Sequence, residues 1–125
     1  MVVWVIGLSG SGKTTLSKRV VSELRDRGRK VIFLDGDEIR DIFGNDLGYD
    51  INSRRLNAER LCNLSAFLES QGIDVVCAIL SIFPESREWC RKKLNNYFEV
   101  FIDNSLEKLI KRDSKGIYRR FNLGE

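Results

Sequence analysis

The chain has 125 residues, 42% hydrophobic and 31% charged, and 21 Lys and Arg against 18 Asp and Glu give a formal charge of +3. That length bounds one domain with one core, no apolar run reaches membrane-spanning length, and no basic stripe carries the aromatic platforms that nucleic acid would need. Histidine is absent, which removes imidazole as base and as metal ligand and leaves acid–base work to carboxylates or lysine.

In chain order, the apolar run Val2 to Ile6 reads as a buried strand that the N-terminus enters directly. It leads into Gly7-Leu8-Ser9-Gly10-Ser11-Gly12-Lys13-Thr14, the pattern G-x-x-x-x-G-K-[ST], and a helix pattern begins at Lys13. Strand, glycine loop and helix in that order predict a phosphate-binding loop. Glycines at 7, 10 and 12 are expected to let the backbone turn with positive φ and approach a polyphosphate. The freed N–H groups of Gly7 and Ser9 to Thr15 then form an anion nest at the positive end of the helix. Lys13 is expected to reach the β- and γ-phosphates of ATP, and the Thr14 hydroxyl to ligate Mg²⁺.

Leu16, Val20, Val21 and Leu24 give that helix one apolar face, and Gly28 is placed to cap its end. Val31 to Leu34 is a second short strand, running into Asp35-Gly36-Asp37-Glu38-Ile39-Arg40. Two carboxylates and an arginine thus stand at a strand's C-terminal end, where ligands lie in open α/β sheets. Residues 44–52 are turn-rich, with Tyr49 their one large aromatic, and a long helix is predicted from about Ser53, as its N-cap, to Ser70. Leu61, Leu64 and Leu68 mark the buried face, which becomes Asn57 and Arg54 toward the N-terminus, as when a helix tip emerges into a cleft.

Asp74 to Leu80 is the third strand, continuously apolar from Val75, as inside a parallel sheet. It ends in Ser81-Ile82-Phe83, and Pro84 opens another helix through Trp89 to about Leu94. Phe98 to Ile102 is a further strand, and Ser105 is placed to cap a helix from Leu106 to Arg112. Cys62, Cys77 and Cys90 are far apart in sequence with no C-x-x-C pair, the usage of reduced, cytoplasmic thiols. Alternating strands and short-linked helices argue for an α/β fold, a parallel sheet with helices on both faces. No acid follows the third strand and no N-K-x-D sequence occurs, which favours a small kinase over a GTPase. The basic cluster from Lys108 to Arg120 reads equally as a solvated face or as a flap over phosphates.

The segments GLSGSGKTT, LDGDEIR, LGYD followed by R-x-x-N-x-x-R, FEVFID, and RDSKGIY with a trailing GE resemble the adenylyl-sulfate kinase family over nearly the whole chain. The resemblance implies a P-loop NTPase, a nucleotide-kinase-like three-layer sandwich, that phosphorylates the ribose 3′-hydroxyl of adenylyl sulfate with ATP and Mg²⁺. It places Asp35 and Asp37 to accept the hydroxyl proton and to hold Mg²⁺ through water, with Thr14 and Asp37 as the metal positions. Arg40, Tyr49 (usually Phe in the family), Arg54 and Asn57 match acceptor-binding positions, with Tyr49 on the base and the arginines on the anionic end. Arg112, Lys115 and Gly116 match a mobile lid. Ser81 matches a serine sometimes drawn as a phosphorylated intermediate, a role that in-line transfer does not require.

Three departures bear on the acceptor. Ser81-Ile82-Phe83-Pro84 stands where the family usually has Ser-Pro, and Ser114 replaces a lid proline. The chain reaches Glu125 where family members continue into another strand and helix. A branch of the family acts on the 3′-hydroxyl of cytidine diphosphoramidate in capsule biosynthesis, and residues 81–83, as acceptor-side positions, leave both acceptors open. A non-catalytic ATP-binding module is the rival reading, against which stand the carboxylate pair and the acceptor-side residues. The sequence leaves a homodimer open.

Overall fold

The computed structural model describes residues 1–8, 11–80 and 82–102. Four parallel strands, β1 (Val2–Gly7), β2 (Val31–Asp35), β3 (Asp74–Ile79) and β4 (Tyr97–Ile102), form one sheet in the order β2-β3-β1-β4. The connections are α1 (Lys13–Asp26), α2 (Gly36–Ile42), α3 (Ile51–Ser70) and α4 (Pro84–Lys93).

The unbroken apolar runs of β1 and β3 become intelligible once the layers are known, because both faces of these strands are covered. Side chains alternate along β1: Val3 and Val5 pack with Leu16, Val20, Val21 and Leu24 of α1. Val2, Trp4 and Ile6 turn to the other face, against Ala58, Leu61 and Cys62 of α3 and Cys90 of α4. Helices therefore cover both faces, as the alternation of elements predicts. Trp4 is fully buried and meets Tyr97 edge-on, ring centroids 6.0 Å apart. Trp4→Ala is expected to cost about 3–5 kcal/mol by leaving a large cavity, read as a lower urea midpoint. A midpoint within error of wild type would show that this layer is not the stabilising one.

Three local details differ from the sequence reading. Residues 36–42, given no element in the sequence reading beyond following the second strand's C-terminal end, form the helix α2, because the Asp35 carboxylate accepts from the Asp37 N–H at 2.9 Å and caps it. Asp37 and Glu38 in the first turn and Arg40 in the last complement its dipole. The N-cap of α3 is Asp50 rather than Ser53: Asp50 accepts from the Ser53 N–H at 3.1 Å, so the cap lies three residues earlier. Hydrogen bonds from Ser53 hold the Asp50 carboxyl below the usual carboxylate range. Gly7 does not need positive φ, which among the described glycines occurs at Gly12, Gly28, Gly44 and Gly72. Its requirement is close approach, since a Cβ there would lie 2.5 Å from the Ser11 hydroxyl and 3.2 Å from the Ile102 carbonyl. The Gly28 cap follows the sequence reading, with φ +81° just beyond α1.

Candidate active site

β1 and β3 are neighbours, and all strands are parallel, so the loops after β1, β2 and β3 open at one edge. The sequence after β1 rises into α1 through Gly12, which has φ +92° and ψ 13° and makes no side-chain cap. A residue with a Cβ is strained there. The first N–H groups of α1 consequently have no capping side chain, the condition for an anion at a helix N-terminus. Lys13 follows directly and reaches a cleft of about 310 Å³. Thr15, also expected at the phosphates, lies exposed in the first turn.

From the other side the cleft is lined by Asp35, Gly36, Asp37 and Arg40 from the β2–α2 junction, and by Tyr49, Arg54 and Asn57. Residues predicted from three separate segments are thus brought to one cavity. Arg54 and Asn57 sit on the emerging face of α3, as its leucine-to-polar change implies. Arg40 is buried, with its side chain 8% exposed, and its Nη1 donates to Asp37 Oδ1 at 2.8 Å. Its guanidinium also stands 4.6 Å from the Tyr49 ring, with that of Arg54 at 5.5 Å. Arg54 is braced by Nε donating to the Tyr49 carbonyl at 2.6 Å. Asn57 is buried and donates from Nδ2 to the Gly36 carbonyl at 3.3 Å, tying α3 to α2.

Two polar atoms in this group have no partner among the described residues, Arg40 Nε and Asn57 Oδ1. Buried donors and acceptors without partners are costly, of the order of 1–3 kcal/mol each, and mark places where a ligand can satisfy them. One unmet donor on a cation and one unmet acceptor, on residues lining the same cleft, suit a ligand carrying both an anion and a hydroxyl or amine.

The two carboxylates are not equivalent. The Thr14 hydroxyl donates to Asp35 Oδ2 at 3.3 Å, whereas Asp37, 73% exposed, is turned to Arg40. The sequence reading grouped Thr14 with Asp37 at the metal; the geometry groups it with Asp35. A hydroxyl and a carboxylate oxygen side by side are the hard donors that suit Mg²⁺.

The segment after β3 divides in an unexpected way. Phe83 is buried in the core with Leu61 and Cys90, and the Arg55 guanidinium covers its ring at 4.8 Å. Phe83 is therefore a packing residue and the N-cap position of α4, not part of the cleft lining. Ile82 is half exposed and also outside that lining. Ala78, Ile79 and Leu80 line it instead. Sequence reasoning passed over them because an apolar strand end carries no chemical signal, although its position at the C-terminal edge of a parallel sheet does. Ser9, Gly10, Ser81, the helix expected after Ser105, and the lid positions Arg112, Lys115 and Gly116 lie outside the described residues. No described helix is long and apolar enough to cross a membrane.

A family model described as adenylylsulphate kinase matches residues 1–125. A cytidine diphosphoramidate kinase of Campylobacter jejuni is 38% identical over 119 residues, covering 95% of this chain and 69% of the relative. A probable adenylyl-sulfate kinase of Pseudomonas aeruginosa is 37% identical over 124 residues, covering 99% of this chain and 58% of the relative. Among solved structures, the Mycobacterium tuberculosis APS kinase CysC in complex with AMPPNP and APS superposes with a TM-score of 0.76 at 35% identity, over 98% of this chain and 73% of that one.

Proposed function

The chain belongs to the adenylylsulphate kinase family of phosphotransferases, and we propose that it transfers the γ-phosphoryl group of ATP to the ribose 3′-hydroxyl of adenylyl sulfate. The observation that carries this reading is the single cleft shared by Lys13, Asp35, Arg40, Arg54 and Asn57. A module that only sensed ATP would have no use for the last three.

In this reading the N–H groups at the start of α1 and the Lys13 ammonium hold the β- and γ-phosphates. Thr14 and Asp35 would hold Mg²⁺, whose charge would offset that of the phosphates. Arg40 and Arg54 fix the acceptor's anionic end, Tyr49 stacks on its base, and Asn57 Oδ1 accepts from a hydroxyl. Asp35 or Asp37 takes the hydroxyl proton. Transfer of this kind depends on positioning and on spreading charge, with little covalent work for the protein, so the absence of histidine costs little.

A second reading has its own support. The Campylobacter relative carries the name cytidine diphosphoramidate kinase, and its 38% identity equals that of an adenylyl-sulfate kinase of Synechococcus. With Phe83 in the core, discrimination between the two nucleotides would fall to the 78–80 backbone edge and Tyr49 rather than to the Phe83 ring. ADP release with ATP and Mg²⁺, offering each acceptor separately, tests both readings. Turnover with adenylyl sulfate alone supports the first, turnover with the cytidine compound alone supports the second, and silence with both while ATP binds refutes transferase activity for this chain. Arg54→Ala is expected to raise the acceptor KM about 10- to 100-fold, the loss of a charged hydrogen bond, with the ATP KM nearly unchanged. Equal loss of both affinities would remove Arg54 from the acceptor site.

A further inference from the structure

α3 and α4 lie on the same face of the sheet, and each brings a cysteine to their seam. Cys62 on α3 and Cys90 on α4 are separated by 28 residues in sequence, yet their sulfurs are 3.7 Å apart. The sequence reading treats them as distant; packing of the two helices makes them a pair. Both are unoxidised and buried. A second cavity of about 340 Å³ opens between the same helices, with Arg55, Glu59, Cys62, Ser86 and Trp89 in its wall. Cys62 thus faces an opening large enough for small oxidants, while Cys90 stands behind it and is absent from that wall.

The thiols are also chemically unequal. The hydrogen bond with Cys90 holds the Cys62 thiol below its ordinary value, against the opposing effects of burial and Glu59. The same contact, then burial, pushes Cys90 well up. A thiolate is the nucleophile in sulfur oxidation, and the sulfur whose thiol is lowered is also the one that faces the cavity.

We propose that Cys62 and Cys90 are an oxidation site at which hydrogen peroxide closes a disulfide across the α3–α4 seam. The Cys62 thiolate attacks one peroxide oxygen. The O–O bond breaks, leaving Cys62 as a sulfenic acid, and the departing hydroxide takes a proton to become water. Cys90 Sγ gives up its proton and attacks Cys62 Sγ, the S–O bond breaks, and a second water leaves. Two thiols and one peroxide become one disulfide and two waters, the sulfurs oxidised and the peroxide oxygens reduced. The sulfurs must close from 3.7 Å to about 2.05 Å. Cys77, fully buried in β3 with its thiol pushed well up by desolvation, stays reduced. The proposal is independent of the kinase reading, because its readouts are mass and melting temperature.

The test treats the full chain, reduced and then freed of reductant, with a small excess of hydrogen peroxide, followed by alkylation after denaturation. Expected are a mass loss of about 2 Da before alkylation, one alkylated cysteine at position 77, and a peptide joining Cys62 to Cys90. The melting temperature should rise by about 10 °C, as expected for a closed loop of this length, and dithiothreitol should reverse both changes. Cys90→Ser should leave a sulfenic acid at Cys62 that dimedone captures. Three alkylated cysteines, sulfinic acid at Cys62 with Cys90 free, or a link through Cys77 would each overturn the proposal. The wild-type map decides the matter even if the variant does not fold.

Discussion

Lys13→Ala is expected to abolish measurable phosphoryl transfer, a loss of at least about 10³-fold in kcat, comparable to the upper end for removing one preorganised charge-stabilising donor. The reason lies in where the residue sits. Lys13 follows Gly12, which is left-handed and leaves the first N–H groups of α1 without a side-chain cap. That arrangement supplies partial charges, and among the described residues Lys13 supplies the full positive charge on the glycine-loop side of the cleft. Charge on a transferring phosphoryl group is the main obstacle that the protein must offset. The side chain is not part of either apolar core cluster, so stability should change by less than about 0.5 kcal/mol. ADP release beside a urea melt distinguishes the two effects. A variant retaining a tenth of wild-type activity would show that backbone groups alone stabilise the transferred phosphoryl group.

The second large effect is expected from Asp35→Asn, and it should differ sharply from Asp37→Asn. Asp35 has two tasks, capping α2 through the Asp37 N–H and accepting from the Thr14 hydroxyl. Asparagine caps helices about as well as aspartate, so the substitution removes the charge and preserves the helix. The rate should fall about 100-fold and the Mg²⁺ concentration for half-maximal rate should rise at least about 10-fold, because a hard cation loses its anionic oxygen. Asp37 is exposed and engaged by Arg40. Asp37→Asn should therefore leave the Mg²⁺ titration within a few-fold of wild type. A larger shift in the Asp37 variant than in the Asp35 variant would return the metal to Asp37.

The sequence alone determined what depends on near neighbours along the chain. The loop from Gly7 to Thr14 is legible because anion binding by backbone needs glycine, lysine and a hydroxyl at fixed short spacings. The continuous apolar runs of β1 and β3 announce strands covered on both faces, and the change from Leu61 to Asn57 and Arg54 announces a helix tip at a cleft. Each is a local periodicity or a local conformational need, written in consecutive residues.

Tertiary structure decided which distant groups meet. The sheet order β2-β3-β1-β4 and the crossover of α1 bring Thr14 to Asp35 instead of Asp37. The choice of cap at Asp50, the withdrawal of Phe83 into the core under Arg55, and the meeting of Cys62 with Cys90 have the same origin. Each depends on how two elements pack. Packing is fixed by the summed burial of many side chains, which no single stretch of sequence contains.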